Sequence, residues 1–272
     1  MKVLGRTKSL QFFGSLILFI GFLIIFEGIA VYVINLKSPY WADEVHFVET
    51  IRQFGKEINL NLIRHYNEMS TPLPFILYAL WGRIFGFEVH ILRYFSMIIA
   101  FITYILFYWL LFKIFNDVKI SFLTAGFFMI NPYAIGLSVF VYTDMLPILF
   151  SIICCLVMIK PNPVIFAISL AGALLSRQYF VFFGSAACLY YLLKLFYQKE
   201  SYALRMLVAC IISFLPIFLL IFLWKGLNPD NAMRKFYYAQ GLSFQPNSII
   251  LYVLMFFVYF LPNYIISLKI LL

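Results

Sequence analysis

An acidic stretch, SPYWADEVHFVET, follows residues 12 to 36, a run whose one charged residue is Glu27. It places Asp43 and Glu44 side by side, with His46 two residues further on. A carboxylate that is held beside a hydroxyl can remove its proton, and such general-base catalysis contributes about 10²- to 10⁴-fold. Carboxylates also stabilise a helix N-terminus by about 0.3 to 1 kcal/mol, so helix capping is the structural alternative for this pair.

Two further polar positions lie at the ends of apolar runs. Asp144 begins one run and is followed by Pro147, which can kink a helix. An ionisable residue at the edge of a membrane span is a functional candidate unless it only caps its helix in the headgroup layer. Arg177 and Gln178 lie between two runs, where a guanidinium can bind a phosphate through two parallel hydrogen bonds. The alternative for Arg177 is a side chain that extends to ordinary lipid headgroups.

The three histidines all lie in the region 37–91, and none lies in an apolar run. Catalysis inside the membrane by a Ser–His or His–carboxylate pair, as in intramembrane proteases, is therefore disfavoured. Glu27 is interpreted as a polar residue that bonds another helix rather than as a catalytic group.

These side chains must be positioned by membrane helices, because the chain is 64% hydrophobic and has a mean hydropathy of +0.97. The apolar runs are continuous rather than alternating, which favours helices over a barrel. The sequence predicts an all-α polytopic helix bundle of about eight spans, near 12–35, 92–112, 120–138, 141–159, 162–176, 179–193, 205–224 and 248–268.

The region 37–91 has the pattern of amphipathic helices that lie in the membrane interface. EVHFVETIRQF and TPLPFILYALWGRIFG both place apolar residues at helical spacing, with polar residues between them. The net charge of +9 is scattered over membrane-flanking loops, so a nucleic-acid partner is not expected. A cytoplasmic N-terminus would place Asp43 and Asp144 on the extracytoplasmic side of a bacterial plasma membrane or the endoplasmic reticulum.

Four segments, PYWADEVHF, STPLPFILYALWGRIFG, VYTDMLP and LLSRQ, together resemble the GT-C superfamily of membrane glycosyltransferases. Their order and spacing match over roughly residues 12–200, and the greatest similarity is to the dolichyl-phosphate-glucose alpha-1,2-glucosyltransferases. Bacterial lipid A aminoarabinose transferases and protein mannosyltransferases look similar at the acidic pair and the Pro-rich segment. The chain differs from the family pattern at Leu73, Tyr179 and Phe180.

The resemblance implies an inverting transfer of a sugar, glucose being one candidate, from a polyprenyl-phosphate donor to a lipid-linked glycan or another hydroxyl acceptor. It implies Asp43 as the general base and Glu44 as its catalytic neighbour. Arg177 and Gln178 would bind the donor phosphate. Asp144 and His46 are secondary candidates for acceptor binding or for a divalent metal, which some GT-C enzymes need and others do not.

The resemblance also predicts one membrane domain over residues 1–272. Residues 12–200 would form the GT-C-like module, 37–91 the first extracytoplasmic loop, and 201–272 part of the variable region. A truncated member of the superfamily is therefore one interpretation of the chain. Two other hypotheses stay open: a lipid or solute transporter, which should show broken helices near the midplane and repeated halves, and an inactive GT-C-like scaffold.

Overall fold

The computed structural model of the protein describes residues 2–240 together with Ile250 and Leu254. In this part of the chain the structure is all-helical, with no β-strand. Its helices are α1 Lys2–Ile34, α2 Glu44–Lys56, α3 Leu60–His65, α4 Leu73–Phe85, α5 Val89–Phe115, α6 Val118–Met129, α7 Pro132–Val139, α8 Met145–Ile159, α9 Pro163–Ser176, α10 Val181–Leu193, α11 Ser201–Ser213, α12 Leu215–Trp224 and α13 Ala232–Gln240.

Four helical segments are long and apolar enough to cross a membrane, namely Gln11–Ile34, Val89–Phe115, Gln178–Gln198 and Ser201–Trp224. A fifth candidate is the pair α6 and α7, which is bent by 71° at its break. The chain therefore has the helices of an integral membrane protein. The predicted spans at 141–159 and 162–176 correspond to α8 and α9, apolar helices of 15 and 14 residues that are shorter than a span.

The number of spans is thus four or five among the described residues, and the count of about eight stays a prediction. The predicted and observed numbers differ because the turn Lys160 to Asn162 separates α8 from α9. Each of these two helices is therefore shorter than a membrane span. The eighth predicted span, 248–268, lies outside the described residues.

Both amphipathic segments predicted in the region 37–91 are helical, as α2 and α4, and a short helix, α3, lies between them. α2 buries Phe47, Val48, Ile51 and Phe54, the spacing that an amphipathic helix presents to a core. Asn59 caps α3 by accepting a hydrogen bond from a backbone N–H, as Asn side chains do at helix N-termini.

The loop helices pack on the bundle through aromatic side chains. Phe54 and Phe75 lie beside Tyr66, whose ring is 6.3 Å from that of Trp224 at the end of α12. The indole of Trp224 donates a hydrogen bond of 2.7 Å to the carbonyl oxygen of Ile63. These contacts hold the C-terminal end of α2, the loop before α4 and the end of α12 together.

Three chain segments with candidate site residues therefore meet near the start of α2. α8 begins at Met145, directly after Asp144, and α9 ends at Ser176, directly before Arg177. α8 and α9 are connected by a short turn and pack along each other, so the start of one lies beside the end of the other. Pro147 lies in the first turn of α8, where its missing N–H removes no intrahelical hydrogen bond.

Candidate active site

A cavity of about 660 Å³ opens between α2, α7 and the start of α8, with Asp43, Asp144 and Arg177 in its wall. A neighbouring cavity of about 420 Å³ shares Asp43 and Arg177 and adds His46 and Glu68. We call the two together the joint cavity. Its wall is rich in aromatic rings, contributed by Trp41, Phe47, Tyr133, Phe140, Tyr142 and Tyr179.

Asp43 immediately precedes α2, and its side chain is 70% exposed. It makes no side-chain hydrogen bond that caps the helix. Its carboxylate instead lies 3.5 Å from the Nε2 atom of His46, one turn along α2. The structure therefore places Asp43 in the cavity with an oxygen available to a substrate, as a general base requires.

Glu44, predicted as the catalytic neighbour of Asp43, points the other way and is fully buried. Its two carboxylate oxygens accept hydrogen bonds of 2.9 and 2.6 Å from the guanidinium of Arg93. They also accept backbone N–H bonds from Trp41 and Val141, both 2.9 Å. Glu44 does not line the joint cavity, and the observed contacts are those of a residue that fixes the turn before α2.

His46 connects two carboxylates. Its Nδ1 atom lies 2.8 Å from Glu68, which is 3% exposed and also accepts a hydrogen bond of 3.1 Å from Thr50. Partial burial by itself lowers the pKa of His46, but the hydrogen bonds and charges of Glu68 and Asp43 outweigh it and leave that pKa above its ordinary value. Burial raises the pKa of the Glu68 carboxyl, and His46, Thr50 and the charge of Arg177 offset part of that shift.

Asp144 and Arg177 form an ion pair in the wall of the same cavity. The Nη2 atom of Arg177 donates to Asp144 at 2.5 Å, and the Tyr179 hydroxyl donates to the second oxygen of Asp144 at 2.9 Å. Both charged side chains are largely buried, 20% and 16% exposed. The Nε atom of Arg177 is buried and has no hydrogen-bond partner among the described residues, so the guanidinium keeps donor capacity.

Gln178, predicted as a second phosphate ligand, is engaged elsewhere. Its Nε2 atom donates to the backbone oxygen of Met69 at 2.5 Å and lies 2.7 Å from the side-chain amide of Asn228. Among the described residues it is not part of the wall of the joint cavity. Its contacts connect the start of the span that follows α9 to the loops at Met69 and Asn228.

Glu68, Arg93 and Tyr179 complete these contacts, and none of them was predicted as a site residue. The available signal was spacing on α2, because Asp43, His46 and Thr50 lie at i, i+3 and i+7 on one helical face and predict a polar partner opposite. Nothing in the sequence indicates that this partner is Glu68. In the described part of the chain no three histidine, cysteine or carboxylate side chains are arranged as ligands of one metal ion.

No family model matches the sequence, no curated protein matches it, and no solved structure matches the fold.

Proposed function

We propose that the protein is a membrane glycosyltransferase of the GT-C type that moves a sugar from a polyprenyl-phosphate donor to a hydroxyl acceptor. The observation that supports this proposal is the joint cavity, which brings an exposed carboxylate, Asp43, and a partly unpartnered guanidinium, Arg177, into one wall. The two were predicted independently from segments more than 130 residues apart.

In the proposed displacement reaction, Asp43 acts on the attacking hydroxyl and Arg177 acts on the leaving phosphate. The acceptor oxygen attacks the anomeric carbon, its O–H bond breaks and the proton passes to Asp43. The bond between the anomeric carbon and the phosphate oxygen breaks at the same time, and the lipid phosphate leaves with the electron pair. A new glycosidic bond with inverted configuration results, and no oxidant or reductant is needed.

Arg177 would stabilise the negative charge that develops on the departing phosphate. Its Nη2 atom is held by Asp144, which fixes the direction of the guanidinium, while the buried Nε atom lacks a partner among the described residues. Asp144 is accordingly assigned the positioning of Arg177. The exposed rings of Trp41 and Tyr179 offer apolar faces on which a sugar can stack.

A lipid-anchored donor requires a site at the end of membrane helices. Asp43 lies nine residues after the end of α1, and Arg177 lies next to the segment Gln178–Gln198. Both α1 and this segment are candidate membrane spans. Under the proposal the N-terminus is cytoplasmic, and the joint cavity opens on the extracytoplasmic side. The polyprenyl chain would then remain in the bilayer while its sugar enters the cavity.

The test is analysis of lipid-linked products by mass spectrometry, with the purified protein in liposomes that contain polyprenyl-phosphate hexoses. The wild-type protein should extend an acceptor, and Asp43→Asn should reduce the rate at least 100-fold. Glu49→Gln is the matched control, because Glu49 is an exposed acid on α2 that does not line the cavity. Near-normal turnover by Asp43→Asn would refute the assignment of the base.

One observation favours a second candidate function, a transporter. The bend of 71° between α6 and α7 is a broken helix pair, the feature that a transporter was predicted to show, and Pro132, Tyr133 and Gly136 of α7 line the joint cavity. Movement of a labelled polyprenyl-phosphate sugar across liposomes without any transferred product would favour this candidate. Donor binding with neither movement nor transfer would favour an inactive scaffold.

A further inference from the structure

Three ionisable side chains form a continuous series from the interior of the protein to the joint cavity. Glu68 is buried at the inner end, His46 is half-exposed, and Asp43 is open to the cavity. The imidazole lies 2.8 Å from Glu68 through Nδ1 and 3.5 Å from Asp43 through Nε2. Each ring nitrogen of His46 therefore faces a different carboxylate.

The backbone fixes this series from both sides. Asp43 and His46 are one turn apart at the start of α2, so their side chains lie on the same face. Glu68 is in the loop before α4, and that loop is held by Asn231, whose Nδ2 atom donates to the backbone oxygens of Tyr66 and Glu68 at 2.8 and 2.9 Å. Glu68 itself accepts from the Thr50 hydroxyl, which limits its carboxylate to one orientation.

The charged groups around His46 come from three elements. Asp43 comes from α2, Glu68 from the loop before α4, and Arg177 from the end of α9, where it lines the same cavity. Two anions and one cation thus face the imidazole, and the anions are the groups in direct contact with it. This balance favours the imidazolium, in which both ring nitrogens carry protons.

We infer that Glu68 is a positioning residue that acts through His46: it holds the imidazole so that its Nε2–H group orients the Asp43 carboxylate toward the acceptor. The role of Asp43 as the base rests on the proposed function, whereas the coupling of the three side chains does not. An imidazolium donates to both carboxylates at once. A neutral imidazole keeps one donor and turns a lone pair toward one of the carboxylates.

The inference gives the pH dependence a defined sign. Because the pKa of His46 is raised, the imidazolium is present at lower pH and is lost as the pH rises through that pKa. Transfer should therefore fall on the alkaline side when His46 loses its proton. Removal of the Glu68 charge should move this alkaline limb to lower pH, since one of the two anions that stabilise the imidazolium is gone.

Histidine-selective NMR titration of the full chain in micelles measures the coupling without any activity. The chain has three histidines, so His65 and His90 act as internal references. Glu68→Gln and Asp43→Asn should each move the titration midpoint of His46 to lower pH. Glu88→Gln is the matched control, because Glu88 lies 3.4 Å from His90 and does not contact His46, so it should leave the midpoint of His46 unchanged.

The pH profile of sugar transfer measures the consequence. Glu68→Gln should lower the rate at neutral pH about tenfold and shift the alkaline limb, whereas Glu88→Gln should leave both unchanged. A purely structural role for Glu68 would lower the rate at every pH by one factor and leave the limb in place. That result would overturn the inference.

The two proposals fail separately. The coupling would be overturned if the titration midpoint of His46 were unchanged in the Asp43→Asn protein. This variant is expected to fold, because the Asp43 side chain is exposed. Coupled midpoints in a wild-type protein that transfers no sugar would overturn the glycosyltransferase and leave the series of three side chains supported.

Discussion

Asp43 and Glu44 are adjacent in the chain, but they lie in opposite environments. Glu44 is fully buried and its carboxylate accepts four hydrogen bonds, whereas Asp43 is 70% exposed and has one charged neighbour at 3.5 Å. Burial of a carboxylate is costly unless its charge is paired and its oxygens accept hydrogen bonds. Arg93 and two backbone N–H groups meet both conditions for Glu44.

The difference separates the residue that shapes the site from the residue that is available to a substrate. Glu44 accepts from Trp41 before α2 and from Val141 before α8, so it joins the two segments that form the rim of the cavity. Arg93 donates in addition to the carbonyl oxygens of Leu36, Ser38 and Pro39. The buried network holds a loop that contains little regular structure, and Asp43 at the end of that loop stays open.

The largest effect is expected where this network is broken. Arg93→Met should lower the free energy of unfolding by about 3 to 5 kcal/mol, because it leaves the Glu44 charge buried without a partner. Denaturant titration of the protein in detergent micelles measures it. Arg52→Met is the control, since Arg52 is an exposed arginine that also bonds a backbone oxygen, and its loss should stay below about 1 kcal/mol. Equal losses in both variants would contradict the distinction.

An intermediate effect is expected at Asp144, which is neither fully buried nor open. Asp144→Asn keeps the shape of the side chain but removes the charge that pairs with Arg177, at an expected cost of about 1 to 2 kcal/mol. The same titration applies. Asp117→Asn is the matched substitution, because Asp117 caps α6 and Asn caps a helix equally well, so stability there should change by a few tenths of a kcal/mol at most.

A smaller effect of opposite sign is expected at Ala42, between Trp41 and Asp43. Its φ of +48° lies in the left-handed region, which costs a residue with a Cβ roughly 1 to 2 kcal/mol. Gly has no such penalty but loses more chain entropy on folding, so Ala42→Gly should stabilise the protein by about 0.5 kcal/mol. A lower unfolding midpoint for Ala42→Gly would show that the loop is not held in this conformation.

The smallest effect on stability is expected for Asp43→Asn, within about 0.5 kcal/mol, because an exposed side chain without a capping bond contributes little. The same substitution is expected to abolish transfer, which makes the pair Asp43 and Glu44 a direct comparison of function with stability. A loss of stability similar to that of Arg93→Met would place Asp43 in the structural network instead.

Much of the fold could be predicted from the apolar pattern. Continuous apolar runs predicted α1, α5 and the candidate spans Gln178–Gln198 and Ser201–Trp224. The helical spacing of apolar residues predicted α2 and α4. The sequence pattern could not show that 120–138 contains a bend of 71°, because the break at Ile130 and Asn131 interrupts an otherwise apolar run. Nor does hydropathy alone distinguish a span from the 14- and 15-residue helices α8 and α9.

Part of the candidate site was predictable from the sequence, but the pairings of its side chains were not. Asp43, Asp144 and Arg177 were selected for their chemistry at the ends of apolar runs, and the structure brings all three to one cavity. Glu44 rather than Asp43 is buried because it pairs with Arg93, 49 residues further along the chain. Residue spacing gives no information on contacts at that separation. Gln178 was assigned by its proximity to Arg177, but its side chain points toward a different loop.

The contact of Asn231 with the loop at Glu68 has a consequence for biogenesis. It joins positions 163 residues apart, and the neighbouring backbone bond from Asp230 to Arg64 is of the same kind. During synthesis the loop at Glu68 must therefore wait for the 163 residues up to Asn231 before this partner exists. Such long-range closure is slow relative to local helix formation, so the joint cavity should be among the last parts of the protein to mature in the membrane.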